Sequence, residues 1–178
     1  QRNDDHRGLG DWFVNKKKLP CGIDGLAEKI NKIGMKFGLW FEPEMVNPDS
    51  DLYRAHPDWA VHIDERTPIE IRQQLVLDIT RPEVRDYIVK AVSDILASAN
   101  IEYVKWDMNR QITDMPCLGY NHRYVLGFYD IMHRIVTAFP NVLFEGCSSG
   151  GGRYDLGVLY YMPQFWASDN SDAGCRFK

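Results

Sequence analysis

Apolar residues recur along this chain with two different periods, and the alternation between the periods predicts an order of elements. Leu26, Ile30 and Ile33 stand at helical spacing after Asp24, a candidate N-cap, and Gly34 closes the helix where a left-handed residue is needed. The nearly continuous apolar run from Lys36 to Phe41 stops at Pro43, as a strand covered on both faces would. A second strand is expected over Gln74–Ile79. Thr80-Arg81-Pro82-Glu83 then reads as a capping box with proline in the first turn, opening a helix that buries Val84, Ile88, Ala91, Val92, Ile95 and Ala99 and ends at Asn100. Tyr103–Arg110 follows as a strand, with Lys105, Asp107 and Asn109 on one face and Val104, Trp106 and Met108 on the other. A helix from His122 to Phe139 buries Val125, Phe128, Met132, Ile135 and Val136 and stops at Pro140. Strands over Val142–Glu145 and Gln164–Trp166 complete the pattern.

Two stretches have neither period. The opening segment to Gly22 reads as a long loop anchored by Trp12 and Phe13, and residues 47–72, with Pro48, Pro57 and Pro68, form a second one. A loop of that length in a compact domain usually faces a ligand.

Strands and helices alternate at barrel spacing, with the polar clusters at the C-terminal ends of the strands, which gives an α/β class and an incomplete (β/α)8 TIM barrel holding about five of the eight strands. The length agrees: 178 residues fall short of the roughly 250 of a full barrel. Residues 1–178 are therefore expected to be one partial catalytic barrel domain, truncated at both ends. A net charge of -4 offers no basic surface for nucleic acid or for an anionic membrane. No apolar run is long enough to span a bilayer and no signal-peptide pattern opens the chain, so a cytoplasmic location is expected. The cysteines Cys21, Cys117, Cys147 and Cys175 are irregularly spaced, as unpaired thiols in a reducing compartment are.

Glu42, Asp78, Asp107, Glu145 and Asp169 all stand at the C-terminal ends of the expected strands, which in a barrel converge on one mouth. Carboxylates facing each other across a bond are the machinery of glycoside hydrolysis, and Trp40 and Trp166 would supply flat platforms for a sugar, whereas Trp106 reads as core. No H-x-x-x-H, H-E-x-x-H or calcium-loop spacing occurs, so neither metal nor cofactor is expected. Gly150-Gly151-Gly152 lacks the Gly-Lys-Ser/Thr of a phosphate loop, and Gly146-Cys147-Ser148-Ser149-Gly150 has no histidine after it to activate a serine. These glycines instead let backbone approach a neutral ligand closely.

Arg2-Asn3-Asp4-Asp5, Leu9-Gly10-Asp11-Trp12, Gly38–Val46, Lys105–Arg110, Glu145–Gly152 and Trp166–Asn170 together, in this order, closely resemble the catalytic domain of family 36 α-galactosidases. The resemblance implies a retaining hydrolase that releases terminal α-linked galactose from sugars such as melibiose and raffinose, and that is commonly a homo-oligomer. It implies Asp107 as nucleophile and Asp169 as general acid/base, with Trp40, Arg72, Lys105, Asn109, Cys147 and Trp166 lining the galactose pocket. Ser149 stands where the family uses a backbone contact, often at a glycine. Lys105, on the face of Asp107, is expected to favour the ionised nucleophile. A raffinose-synthase-type galactosyltransferase would share both aspartates, and an inactive galactose-binding fragment would keep the pocket. The chain also departs from the family pattern: the upstream D-D-G-W segment is absent, the stretch between Arg110 and His122 is short, and no pattern continues beyond Asp172.

Overall fold

The computed structural model describes residues 4–177. Arg2 and Asn3 of the first resemblance motif lie outside the described residues.

The parallel strands are short and their register sets the site. Strands β1 (Gly38–Phe41), β4 (Tyr103–Trp106), β5 (Leu143–Gly146) and β6 (Gln164–Phe165) pair in parallel as one four-stranded sheet, in the order β1-β4-β5-β6. Trp40 sits opposite Lys105, Lys105 opposite Glu145, and Glu145 opposite Gln164. Side chains alternate along each strand, so these residues form one row on the inner face, and the next row holds Glu42, Asp107, Cys147 and Trp166. The other face is apolar. Val104, Trp106 and Phe144 are fully buried there, in one core with Val84, Ile88 and Val92 of helix α3 (Pro82–Ala97) and Phe128, Ile131 and Ile135 of helix α4 (Tyr120–Ala138). Trp106, expected to be core, meets Phe128 edge-on at 6.1 Å.

The fifth expected strand belongs elsewhere. Within Gln74–Ile79, β3 (Leu75–Val76) pairs antiparallel with β2 (Met45–Val46), outside the parallel sheet, and Gln74 and Leu77 beside it make single antiparallel bridges to Ile71 and Ala60. Its apolar run arises because Leu75, Val76, Leu77 and Ile79 are all buried in the common core, not because it lies between two parallel neighbours.

Helix ends also differ from the sequence reading. Helix α1 (Gly22–Lys32) starts at Cys21 without a side-chain cap, and Asp24 stands in the first turn, where its charge complements the positive end of the helix. At α3 the N-cap is Arg81, not Thr80: Thr80 Oγ1 donates to Asp78 Oδ1 at 2.6 Å, and Glu83 pairs with Arg81 at 2.7 Å. The nearer carboxylate of Asp78 captures the hydroxyl that a capping box would use. α3 ends at Ala97, short of Asn100. Of the expected N-terminal anchors, Trp12 packs on Phe41 at 5.4 Å, while Phe13 is exposed and Leu9 is buried in its place.

Between α1 and α3 the chain forms β1, β2, the short helix α2 (Asp51–Ala55) and β3. After β5 it forms a tight turn, α5 (Ser148–Gly151), and then α6 (Leu156–Tyr161), which Asp155 caps by accepting from Gly157 N at 2.8 Å and Val158 N at 2.9 Å. No helix among the described residues is long and apolar enough to cross a membrane.

Candidate active site

Asp107 leaves the C-terminal end of β4 on the inner face, 6% exposed, in a shell of donors. Its Oδ2 accepts from Asn109 Nδ2 at 2.6 Å and Trp40 Nε1 at 3.1 Å. Its Oδ1 accepts from Met108 N at 2.8 Å and Ser149 N at 3.3 Å, and the Cys147 thiol donates to the same carboxylate. Burial pushes the Asp107 pKa up, but the donors Asn109, Cys147, Met108 and Trp40 outweigh it and hold the carboxyl below its ordinary value. Neutral donors do this. Lys105, expected to supply the effect, instead pairs with Glu145 at 3.7 Å and lies over the Trp166 ring at 4.1 Å. Burial is likewise the main cause that raises the Cys147 thiol, so it stays a donor.

Asp169 sits beyond β6, and its Oδ1 accepts from Trp166 Nε1 at 2.8 Å. Each site tryptophan therefore donates its indole N–H to one candidate catalytic aspartate. Their rings remain open to solvent, Trp40 at 42% and Trp166 at 37%. The turn between the two aspartates is left-handed, with φ of 53° at Ser148, 54° at Ser149, 76° at Gly150 and 93° at Gly151. Ser149 turns its N–H to Asp107. On the far side a Cβ at Gly150 would stand 3.2 Å from Asp169 Cγ, and one at Gly151 would stand 2.8 Å from the Ala167 carbonyl, so only glycine lets the β6 end come this close.

Asn109 is fixed from behind. Its backbone N–H donates to Glu42 Oε1 at 2.6 Å, and Gln74 Nε2 donates to Glu42 Oε2 at 3.2 Å. Arg72 approaches the same place from the second loop, its Nη1 3.5 Å from the Asn109 carbonyl. Arg72 and Gln73 are the central residues of a tight hairpin closed by Ile71 and Gln74, both with positive φ (53° and 59°), as in a primed turn. Asn47 Nδ2 holds the Gln73 carbonyl at 2.7 Å. Trp40, Arg72, Asn109, Glu42 and Asp5 line one cleft beside Asp107.

Every expected site residue thus stands at one end of the sheet: Asp107, Asp169, Trp40, Arg72, Lys105, Asn109, Cys147, Ser149 and Trp166. Of the acidic row, Asp78 does not join them, being tied to Thr80 and to Tyr120 Oη at 2.9 Å. The sequence reading missed the supporting roles of Gln74, Glu44 and Arg153. Glu44 is fully buried, accepting from Trp106 Nε1 at 2.9 Å, Tyr124 Oη at 3.0 Å and Arg153 at 2.7 and 3.0 Å. Its one signal in the sequence is a second glutamate two residues after Glu42, across Pro43; Arg153 gives none.

A parallel sheet with helices on its apolar face, and with carboxylates and indoles gathered at its C-terminal edge, is the construction of a TIM-barrel enzyme. The chain matches the melibiase family model over residues 1–178 and belongs to that family. It is 55% identical to the α-galactosidase AgaA of Geobacillus stearothermophilus, covering 100% of this chain and 26% of that protein. It is 50% identical to the α-galactosidase Mel36A of Lactobacillus acidophilus, covering 99% and 25%. A crystal structure of an AgaA variant in complex with raffinose superimposes with a TM-score of 0.95 at 54% identity, covering 99% of this chain and 26% of that one. The chain therefore spans about a quarter of the length of these relatives.

Proposed function

We propose that residues 1–178 form the central part of the catalytic barrel of a retaining α-galactosidase, working within a longer polypeptide. The observation that carries the reading is the pair Asp107 and Asp169, set on either side of one left-handed turn with different surroundings. Asp107, held ionised by its donors, attacks the anomeric carbon of galactose, while protonated Asp169 gives its proton to the departing glycosidic oxygen. The galactosyl-enzyme ester then yields to a water from which Asp169, now a base, takes the proton back. Trp40 and Trp166 offer flat faces for the sugar, Arg72, Lys105 and the second amide proton of Asn109 offer donors to its hydroxyls, and Cys147 and Ser149 line the pocket while their protons go to Asp107. Oligosaccharides of the raffinose type are the proposed substrates, supported by the raffinose and stachyose complexes of AgaA variants. Four unpaired cysteines among the described residues support a cytoplasmic setting, and the full-length protein is proposed to be a homo-oligomer.

The test is chemical rescue in the full-length polypeptide. Asp107→Gly should abolish turnover of an aryl α-galactoside, and added azide, filling the vacated space, should restore it as the β-galactosyl azide. Recovery of the α-azide would move the nucleophile elsewhere. Transfer to added sucrose in preference to water would assign the synthase reaction instead.

A further inference from the structure

The Ser148–Gly151 turn is left-handed through successive residues, closed by Gly151 N to the Cys147 carbonyl and Gly152 N to the Ser148 carbonyl, both at 2.7 Å. For the two serines that conformation is strained, so something outside the turn must impose it. At its leading end, Cys147 N is bonded to the Trp106 carbonyl at 3.0 Å, within the sheet. At its trailing end stands Arg153. Its guanidinium grips both oxygens of buried Glu44 and lies 3.9 Å over the Phe128 ring, and Tyr124 and Trp106 saturate the remaining positions of the carboxylate. Glu44 itself lies just past β1, two residues beyond Glu42, which holds Asn109.

We infer that the Arg153–Glu44 pair is a positioning clamp, which holds the left-handed turn so that Ser149 N–H meets Asp107 and Gly150 backs Asp169. A buried ion pair is a weak device for stability alone, since apolar replacements of similar volume are often neutral or better. Its bidentate geometry fixes direction, which a turn carrying one donor to a nucleophile requires. One carboxylate also joins the end of β1, Trp106 beside the nucleophile, α4 through Tyr124, and the turn. Neither member lines the cleft of Trp40, Arg72 and Asn109, and no hydrogen bond joins either to Asp107 or Asp169, so both act through the backbone they hold.

The inference rests on the glycosidase reading for its kinetic readout, and a crystal structure supplies a second readout that does not. In the full-length protein, Arg153→Lys keeps a charge but loses the fork, and the double variant Glu44→Gln/Arg153→Met leaves no orphaned charge while the amide oxygen still accepts from Trp106 and Tyr124. Both should fold. With the clamp gone, Asp107 loses the Ser149 donor and its pKa rises, so the acid limb of kcat/KM moves to higher pH. kcat on melibiose should fall roughly 10²-fold while KM changes little. The crystal structure of the double variant should show Ser149 N drawn away from Asp107. A turn still in place there, or a wild-type pH profile in that variant, overturns the clamp whatever the stability. An inactive parent enzyme would sink the glycosidase reading, and the position of the turn would still decide the clamp.

Discussion

A carboxylate proposed to attack carbon would work only while ionised, and the donors around Asp107 favour that form. Burial alone would protonate it, and the donors that prevent this can be removed one at a time. Asn109→Ala deletes the 2.6 Å donor, so the Asp107 pKa rises and the acid limb of kcat/KM moves to higher pH. A pH–rate profile checks this, and an unmoved limb would assign it to another group. The same depression links to stability. Ionised Asp107 favours the folded state fully above the unfolded value near about 3.9, and that contribution is lost as pH falls through the lower folded value. The stability deficit of Asp107→Asn should therefore shrink in that acid window. Asp169 calls for a different measurement. An acid catalyst matters most when the leaving oxygen is basic, so Asp169→Ala should slow melibiose cleavage about 10²-fold more than cleavage of a nitrophenyl galactoside. Equal losses would make Asp169 a sugar-binding group only.

At the scale of elements, helix and loop come into close contact at Gly127 in α4. A Cβ there would stand 2.2 Å from the Ile79 carbonyl, a backbone atom that cannot swing aside. Alanine is intrinsically the better helix former by about 1 kcal/mol, but the clash requires α4 to shift against the Ile79 segment. Gly127→Ala should therefore destabilise by about 2 kcal/mol or more in urea unfolding; a stabilised variant would show that α4 has room to move. Elements with a strong period were legible before any coordinates. α3, α4 and the parallel strands fall where the apolar spacing put them, because each buries one continuous face. What misled was chemistry within reach of a competitor. Thr80 could cap α3 or bond Asp78, and only the fold decides that the carboxylate is nearer. Gln74–Ile79 carried a strand's composition, yet burial from several directions produces the same run of apolar residues.

Across the molecule, the two faces of the sheet divide stability from chemistry. Ile135 is fully buried behind the sheet, and Ile135→Ala should cost about 2–5 kcal/mol on denaturation while leaving kcat and KM of the folded enzyme unchanged. A matching loss of kcat would mean that the core transmits strain to the carboxylates. Lys105, Asp107 and Asn109 were legible as one row because they follow each other at period 2 on a short strand, whereas Arg72, on a hairpin, and Ser149, in a turn, were expected only from the resemblance. The Glu44–Arg153 pair was not legible, because an ion pair joining residues 109 positions apart leaves no local pattern that links the two stretches.

The hairpin that carries Arg72 has a consequence for laboratory evolution. Its tip belongs to the antiparallel arm and is pinned at Asn47, so it takes no part in the register that aligns Trp40, Lys105 and Glu145. Residues 62–68, which stop short of the main-chain bonds of Ile69 to Arg110 and Asp114, can accordingly be lengthened or randomised without sliding one parallel strand past another. A library confined to that span varies the loop leading to Arg72 while every member inherits the same pair of aspartates.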